Sequence, residues 1–267
     1  MTSSNAAAAP SATSAAASAG AHPALRARSL AKSYDAPVLE GLDLDIEDGQ
    51  FVAIMGPSGS GKSTLLHCLS GMDRPSGGSV LLGDTDIAAL SERELAALRL
   101  SRFGFVFQQA HLLATLCLLD NIVLPGFLAG LRPRREVEAR GRGLMERMGI
   151  SELAGSDITE VSGGQLQRAG TCRALINEPG IVFADEPTGA LNSATAAQIL
   201  DLLGEVHASG TTLVVVTHDA QVAARADRVL LLVDGGVVED LALGGYREAQ
   251  ASQRLATVSQ ALQRRSV

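Results

Sequence analysis

The stretch GPSGSGKST, residues 56–64, decides the fold class of this chain. It fits the pattern GxxxxGK[ST], in which glycines let backbone N–H groups turn toward phosphate oxygens. The apolar run FVAIM, residues 51–55, comes directly before it and predicts a strand that is covered on both faces. The stretch KSTLLHCLSG continues as a helix. A strand, a glycine-rich loop and a helix in this order predict a nucleotide phosphate site.

The residues of this loop have expected tasks at that site. Lys62 can reach the β- and γ-phosphates, and the Ser63 hydroxyl can ligate Mg²⁺. Lys62 and Lys32 are the only lysines of the chain, so the position of Lys62 in the loop is informative. The residues expected to bind the nucleotide here are Gly56, Pro57, Ser58, Gly59, Ser60, Gly61, Lys62, Ser63 and Thr64.

Two acids end a later apolar run, IVFADEP at residues 181–187. Asp185 would stand at the carboxyl end of a strand, where ligands sit in parallel sheets, and is expected to hold Mg²⁺. Glu186 follows and could polarise an attacking water. The alternative is a solvated acidic turn. The long separation between Lys62 and Asp185 indicates a large insertion between the two motifs.

The order of the apolar runs predicts an α/β fold with a mainly parallel core sheet, because strands alternate with helices. LDLDI at residues 42–46 alternates and predicts an antiparallel β edge subdomain, while residues 110–160 predict an inserted helical subdomain. Ser91 and Glu94 predict a capping box. The remaining predicted strands are FGFVF at 103–107, TLVVVT at 212–217 and RVLLLV at 228–233.

A second anion site is predicted at VSGGQLQR, residues 161–168. Ser162 is a good N-cap residue, and Gly163 and Gly164 leave backbone N–H groups bare at the positive end of a helix. Gln165 completes the motif. Alone, this pattern is also that of an ordinary capped helix, but it stands between the phosphate loop and the acidic strand end.

Together these motifs resemble the ATP-binding subunit of an ABC transporter, a P-loop NTPase of ABC type. GPSGSGKST resembles its Walker A motif, VSGGQLQR its signature and IVFADE its Walker B motif. The resemblance implies that His218 in THD is the switch histidine and that Gln108 in FQQ is the Q-loop glutamine, which also contacts Mg²⁺. It implies that Tyr34 stacks on adenine, although a packed edge residue remains the alternative.

The resemblance implies a function for the second anion site. In that family two such domains pair head to tail, and each signature closes over the ATP held by its partner, so this chain is expected to form a homodimer with two composite sites. ATP with Mg²⁺ would drive a separate membrane permease. IMGPSGSGKSTLLHCLSGMDRPSGGSV and ADEPTGALN resemble the lipoprotein-release, macrolide-export and cell-division branch. The rivals are a non-transport ATPase that signals to cell-envelope enzymes and a soluble ATPase acting on ribosomes or DNA.

Charge, hydropathy and cysteine content indicate which classes of partner and compartment suit this chain. The formal net charge of -7 weighs against a nucleic-acid partner. No apolar run approaches the ~20 residues that span a bilayer, so no direct membrane insertion is expected. The chain would lie in the cytoplasm, on the inner face of the membrane through its permease. The three cysteines, Cys68, Cys117 and Cys172, are far apart and fit a reducing compartment.

The remaining segments carry weaker signals. The Ala/Ser-rich residues 1–24 predict a disordered tail, residues 25–242 the ATP-binding domain, and residues 243–267 a C-terminal tail. The apolar stretch 112–130 fits either a permease groove or the core of the helical insertion. The arginines between 132 and 147 fit a solvated face better than a lipid-binding patch. Val161, Ile158 and Asn192 depart from the family pattern, and Asn192 lacks the usual charge in a loop that touches the partner.

Overall fold

The computed structural model describes residues 23–189 and 191–265. Of the tail predicted over residues 1–24, residues 1–22 lie outside the described residues. The strands are β1 (Pro23–Ser33), β2 (Pro37–Glu47), β3 (Phe51–Met55), β4 (Gly77–Leu82), β5 (Thr85–Asp86), β6 (Phe103–Val106), β7 (Ile181–Asp185), β8 (Thr212–Val216), β9 (Arg228–Val233) and β10 (Gly236–Ala242). The helices are α1 (Lys62–Leu69), α2 (Glu92–Arg102), α3 (Leu118–Ala129), α4 (Arg134–Arg147), α5 (Gly163–Leu175), α6 (Ser193–Ala208), α7 (Ala220–Ala223) and α8 (Ala251–Arg264).

The core is a six-stranded sheet in the order β10-β9-β3-β8-β7-β6. All its neighbours run parallel except the edge pair β9 and β10. Every residue of β3 and β8 is buried, as their uninterrupted apolar runs require of central strands. The expected α/β class and mainly parallel sheet are confirmed. Parallel pairing brings the loops that follow β3, β6, β7 and β8 to one edge of the sheet.

The second sheet is antiparallel, in the order β2-β1-β4-β5, and forms the expected edge subdomain. Its buried leucines pack with Leu65, Leu66 and Leu69 of α1, which fixes the helix that follows the phosphate loop. β1 begins at Pro23, two residues before the predicted domain boundary at 25, because Pro23 pairs with Glu47 of β2.

Helices α3, α4 and α5 form the inserted helical part, together with two short 3₁₀ turns at Ser151–Leu153 and Ile158–Glu160. α3 and α4 pack closely because glycines face the partner helix. A Cβ atom at Gly126 would lie 2.4 Å from Cγ1 of Val137, and one at Gly141 would lie 2.6 Å from Cγ1 of Val123. Much of the apolar stretch 112–130 is therefore helical core. Its fully buried members are Leu118, Ile122 and Val123.

The arginines between 132 and 147, which were expected to form a solvent-exposed face, also form ion pairs with other parts of the domain. Arg132 and Arg140 both form ion pairs with Glu178, which follows α5, and Arg147 pairs with Glu205 on α6. These pairs join the helical part to the core. They are partly exposed, so each stabilises the fold by less than about 1 kcal/mol.

Residues 243–265 of the predicted C-terminal tail pack on the domain. α8 buries Val258 and Ala261, and the guanidinium of Arg254 is itself buried. Arg254 donates hydrogen bonds to the carbonyl oxygens of Ala224, Ala226, Leu243, Gly244 and Gly245. Among the helices of residues 23–189 and 191–265, none combines the length and apolar character that a membrane span requires.

Candidate active site

The phosphate loop joins the end of β3 to the start of α1 and leaves no room for larger residues at its glycines. A Cβ atom at Gly56 would lie 2.0 Å from the carbonyl oxygen of Leu232 on β9. Gly61 has a φ of 96°, and a Cβ atom there would lie 3.0 Å from the carbonyl oxygen of Val38. Only glycine adopts this conformation at such close approach without strain. The loop backbone is thus held between β9 and β2.

Polar groups inside this loop have few partners in the chain itself. The Ser60 hydroxyl is buried without a hydrogen bond, and the ammonium of Lys62 donates to the carbonyl oxygen of Pro57 at 2.7 Å. Burial lowers the pKa of Lys62, while the carboxylates of Glu186 and Asp185 act in the opposite direction. Both acids are therefore within electrostatic range of Lys62. An orphaned hydroxyl and a desolvated ammonium fit a phosphate ligand.

The acidic strand end follows β7, next to β8. Asp185 is the last residue of the strand, and Glu186 has an unusual φ of 47°. The Glu186 N–H donates to the carbonyl oxygen of Val216, and its Oε1 atom lies 2.9 Å from Nδ1 of His218. A non-glycine residue in this region costs about 1–3 kcal/mol and persists only where its surroundings enforce it. The Glu186 carboxylate lies within hydrogen-bond distance of His218.

Gln108 follows β6 and reaches the same edge of the sheet. Its side chain is exposed, and a Cβ atom at Gly189 would lie 3.4 Å from Nε2 of Gln108 and 3.5 Å from Cβ of Glu186. The Gln108 amide thus stands beside the loop that carries Glu186. The structure brings together the phosphate loop, Asp185, Glu186, Gln108 and His218.

The signature residues form a separate cluster at the start of α5. The Ser162 hydroxyl accepts from the N–H of Gln165, and the Gln165 side chain accepts from the N–H of Ser162, which makes a capping box. Ser162 and Gly163 are exposed. Within the described residues, no hydrogen bond joins Ser162, Gly163, Gly164 or Gln165 to the loop at 56–64. Gly164 instead faces Thr195 of α6, whose start is capped by Asn192.

Tyr34 lies in the turn between β1 and β2, and its side chain is 58% exposed, which argues against a packed edge residue. Its hydroxyl donates to Oδ2 of Asp73 at 2.5 Å. That hydrogen bond, with desolvation, raises the pKa of Tyr34. The ammonium of Lys32 bonds to Oδ1 of Asp73 at 2.6 Å and stands 4.7 Å from the centre of the Tyr34 ring. Lys32 and Asp73 therefore hold the ring from one side and leave it open on the other.

Sequence reasoning missed two residues that contact this site. Asp73 orients Tyr34, and Gln167 donates to backbone carbonyls in the loops of Gln108 and Glu186. Gln167 is buried, although glutamine is rarely buried, and because its burial is visible only in the structure, nothing in the sequence signalled its role.

Comparison with known proteins identifies the family. The family model described as ABC transporter matches residues 39–189, which include the phosphate loop, the signature and the acidic strand end. This chain belongs to the ABC transporter family. Two similar solved structures are of the ATP-binding cassette MJ0796, in a dimeric post-hydrolysis state bound to ADP and Pi, and of cbiO1 from Clostridium perfringens. The first is 36% identical with a TM-score of 0.78 and covers 83% of this chain and 100% of that one. The second is 28% identical with a TM-score of 0.74 and covers 91% and 96%.

Curated relatives of this ABC chain fit the branch that the motifs indicate. The macrolide export ATP-binding/permease protein MacB 1/2 of Paracoccus denitrificans is 45% identical over 227 residues, which are 83% of this chain and 34% of that protein. The pyoverdine export ATP-binding/permease protein PvdT of Pseudomonas syringae pv. syringae is 45% identical, over 82% of this chain and 34% of that protein. The chain spans about a third of the length of these relatives. The expected family, fold and ATPase class are confirmed.

Proposed function

We propose that this ABC ATPase chain drives a separate membrane permease of an exporter by ATP-dependent closure of a homodimer. The observation that carries the proposal is the second anion site. Ser162 and Gly163 form an exposed, capped helix start, and among the described residues no hydrogen bond joins them to the phosphate loop of their own chain. An anion site that lies apart from its own nucleotide fits the nucleotide of a second copy, and two-fold symmetry then creates two composite sites.

Residues at the sheet edge fit ATP with Mg²⁺. Tyr34 stacks on the base, the loop Gly56–Thr64 cradles the phosphates, and Lys62 contacts the β- and γ-phosphates. Oxygen donors suit Mg²⁺, so Ser63, Asp185 and Gln108 would hold it together with phosphate oxygens. Bound there, Mg²⁺ would neutralise charge on the phosphates. No cluster of three or more His, Cys, Asp or Glu side chains suited to a metal occurs in residues 23–189 and 191–265. The proposed Mg²⁺ donors are a hydroxyl, an amide and one carboxylate, so they do not depend on such a cluster.

Glu186 is proposed to be the base of the hydrolysis step. Its carboxylate accepts a proton from the attacking water, which turns that water into a better nucleophile for the γ-phosphorus. His218, 2.9 Å from the carboxylate, holds Glu186 until the γ-phosphate is present and then donates to that phosphate. The partner's Ser162 and Gly163 complete the site with a hydroxyl and the positive end of α5. Closure is therefore expected to precede hydrolysis.

An apolar groove offers a docking surface for the permease. It has a volume of about 350 Å³ and lies between α2, β6, α3 and α5. Met72, Leu100, Phe105, Phe107 and Pro125 are among its lining residues, and Met72 is 38% exposed. An amphipathic segment of the permease fits such a groove. Because Phe107 precedes Gln108, an occupant would press on the loop that carries Gln108. The chain would then lie on the inner face of the membrane through this contact.

The names of the relatives favour export, but the same ATP cycle could also signal through a membrane partner to cell-envelope enzymes. Reconstitution with the permease in vesicles separates these functions. Movement of a solute that depends on ATP supports transport, whereas ATP turnover stimulated by the permease without solute movement supports signalling.

Mixing two inactive variants tests the composite sites directly. Lys62→Ala removes a phosphate contact worth ~1.5–3 kcal/mol, and Ser162→Arg places a bulky cation at the signature. Each variant alone should have little ATPase activity. In a mixed dimer, the intact phosphate loop of the Ser162→Arg chain faces the intact signature of the Lys62→Ala chain, so one functional site forms.

ATPase activity above that of either variant alone, in proportion to the mixed dimer, is the expected result, and it should stay below half of the unmodified rate because only one of two sites forms. If no mixed dimer forms with ATP and the mixture stays as inactive as its components while each variant remains folded, the two anion sites do not serve one nucleotide across a dimer.

A further inference from the structure

Gln167 occupies an unusual place in the signature helix. It lies on α5, five residues after Ser162, and only 4% of it is exposed. Its side-chain Nε2 atom donates to the carbonyl oxygen of Phe107 at 2.6 Å and to that of Pro187 at 3.2 Å. A buried amide that gives its hydrogen bonds to two distant loops fixes those loops relative to its helix.

The two carbonyls adjoin the residues proposed to carry out hydrolysis. Phe107 immediately precedes Gln108, and Pro187 immediately follows Glu186. The Glu186 loop is also held by the hydrogen bond of the Glu186 N–H to Val216, by the contact of the Glu186 carboxylate with His218, and by the N–H of Gly189, which donates to the carbonyl oxygen of Glu186. Gln167 is therefore a connection of both loops to α5.

α5 links Ser162 to Gln167 through a continuous stretch of helix, so a displacement of one residue is transmitted to the other. A helix rises about 1.5 Å per residue, so Gln167 lies roughly 7.5 Å along the axis from Ser162. Ala169, Cys172 and Leu175 follow Gln167 along α5 and are buried, so the C-terminal half of the helix is fixed in the core. A change of helix tilt at Ser162 therefore moves the Gln167 amide together with the two carbonyls it holds.

We propose that Gln167 is a positioning residue that couples the signature of each protomer to hydrolysis in that protomer's own site. Contact of Ser162 with the partner's ATP sets the position of α5, and Gln167 carries this position to Gln108 and Glu186. The inference rests on the proposed dimer. It makes the two composite sites interdependent, so ATP bound at one site aligns the residues that hydrolyse ATP at the other. The single site of the Lys62→Ala and Ser162→Arg mixed dimer lacks this alignment and should turn over roughly ten- to a hundredfold more slowly than a site of the unmodified dimer.

The test replaces Gln167 with Met, which keeps the length and packing but removes the donor. We expect kcat to fall roughly ten- to a hundredfold, because a small misplacement of reacting groups has effects of that size. KM for ATP should stay within about twofold, since no phosphate contact is lost. The cooperative dependence of turnover on ATP concentration should disappear. In the Glu186→Gln background, the ATP-bound dimer should still form.

Thr171→Val is the matched control. Thr171 lies one turn further along α5, is fully buried, and donates only to the carbonyl oxygen of Gln167 within its own helix. This variant leaves no buried carbonyl oxygen without a donor, so it should keep kcat and cooperativity. Turnover is measured well below the unfolding midpoint of each variant, where a purely structural role of Gln167 predicts unchanged kcat and cooperativity for Gln167→Met as well.

Gln167→Glu provides a second variant if the Met variant fails to fold. Only its protonated form can donate to the two carbonyls, and burial raises the pKa of such a carboxyl. Its kcat relative to that of the unmodified chain should therefore rise as the pH falls. Unchanged kcat and cooperativity in both variants would overturn the inference while leaving the dimer intact. If Glu186→Gln alone forms no dimer with ATP, the proposed function and this inference both fail.

Discussion

The Nδ1 atom of His218 lies 2.9 Å from the Oε1 atom of Glu186. The carboxylate is largely buried, with 17% of its side chain exposed, whereas the imidazole is 69% exposed. Their contact joins the loop after β7 to the loop after β8. A base that is oriented before the reaction needs less reorganisation when the attacking water arrives.

Removing the imidazole should therefore slow hydrolysis without preventing ATP binding. For His218→Ala we expect kcat to fall on the order of 10²-fold, the usual effect of losing one aligned donor at a reacting group. Steady-state ATPase assays and equilibrium binding of ATP measure the two effects separately. A variant with unchanged kcat would show that the contact plays no part in hydrolysis.

Loss of the Asp73 carboxylate should weaken recognition of the base. Asp73 bonds to both Tyr34 and Lys32, so Asp73→Ala frees the Tyr34 ring. Because stacking on a base contributes ~1–3 kcal/mol, and the site is half-exposed, we expect about fivefold weaker ATP binding. Inorganic triphosphate, which has no base, should bind as before. Equal weakening for both ligands would contradict the role given to Tyr34.

The stability of the fold should depend on pH through His207 and Asp227, which lie 3.2 Å apart. The hydrogen bond to Asp227 raises the pKa of His207 above its ordinary 6.5. A raised histidine pKa stabilises the fold fully below 6.5, and this contribution disappears as the pH rises through the folded-state value. The free energy of unfolding, measured with urea between about pH 6 and about pH 8.5, should therefore decrease. His207→Gln should remove this part of the pH dependence, and an unchanged slope would refute the assignment.

Arg254 should stabilise the domain strongly through α8. Arg254→Met would leave five carbonyl oxygens without their donor, at a cost of about 3 kcal/mol in the free energy of unfolding. The control is Arg265→Met, which removes an exposed cation that pairs with Glu239 and should cost less than about 0.5 kcal/mol. Similar unfolding midpoints for the two variants would mean that α8 is not an integral part of the domain.

Local patterns predicted much of the fold and the candidate site. The strand at Phe51–Met55, the capping box at Ser91 and the N-cap at Ser162 depend on neighbouring residues, and each is present. The order of the apolar runs was enough to predict the mainly parallel sheet, because crossover helices separate the strands.

The rest depends on tertiary contacts that have no local signal. Gln167 meets Phe107 across 60 positions, Tyr34 meets Asp73 across 39, and Arg254 meets Ala224 across 30. The C-terminal segment was expected to be a tail with at most a weakly amphipathic helix. The helix is fixed to the domain by the hydrogen bonds of the buried Arg254 together with the buried Val258 and Ala261, and none of these contacts has a signal in the neighbouring sequence.

Association of the Glu186→Gln variant tests the central claim most directly. Glutamine keeps the shape of the side chain but cannot take the proton from water, so hydrolysis should slow by ~10²–10⁴ while ATP still binds. Light scattering should then report a mass that doubles with ATP and Mg²⁺ and returns to the monomer value when Ser162→Arg is added. If Glu186→Gln stays monomeric at saturating ATP and Mg²⁺, the signature does not close over a partner's nucleotide and the account is wrong.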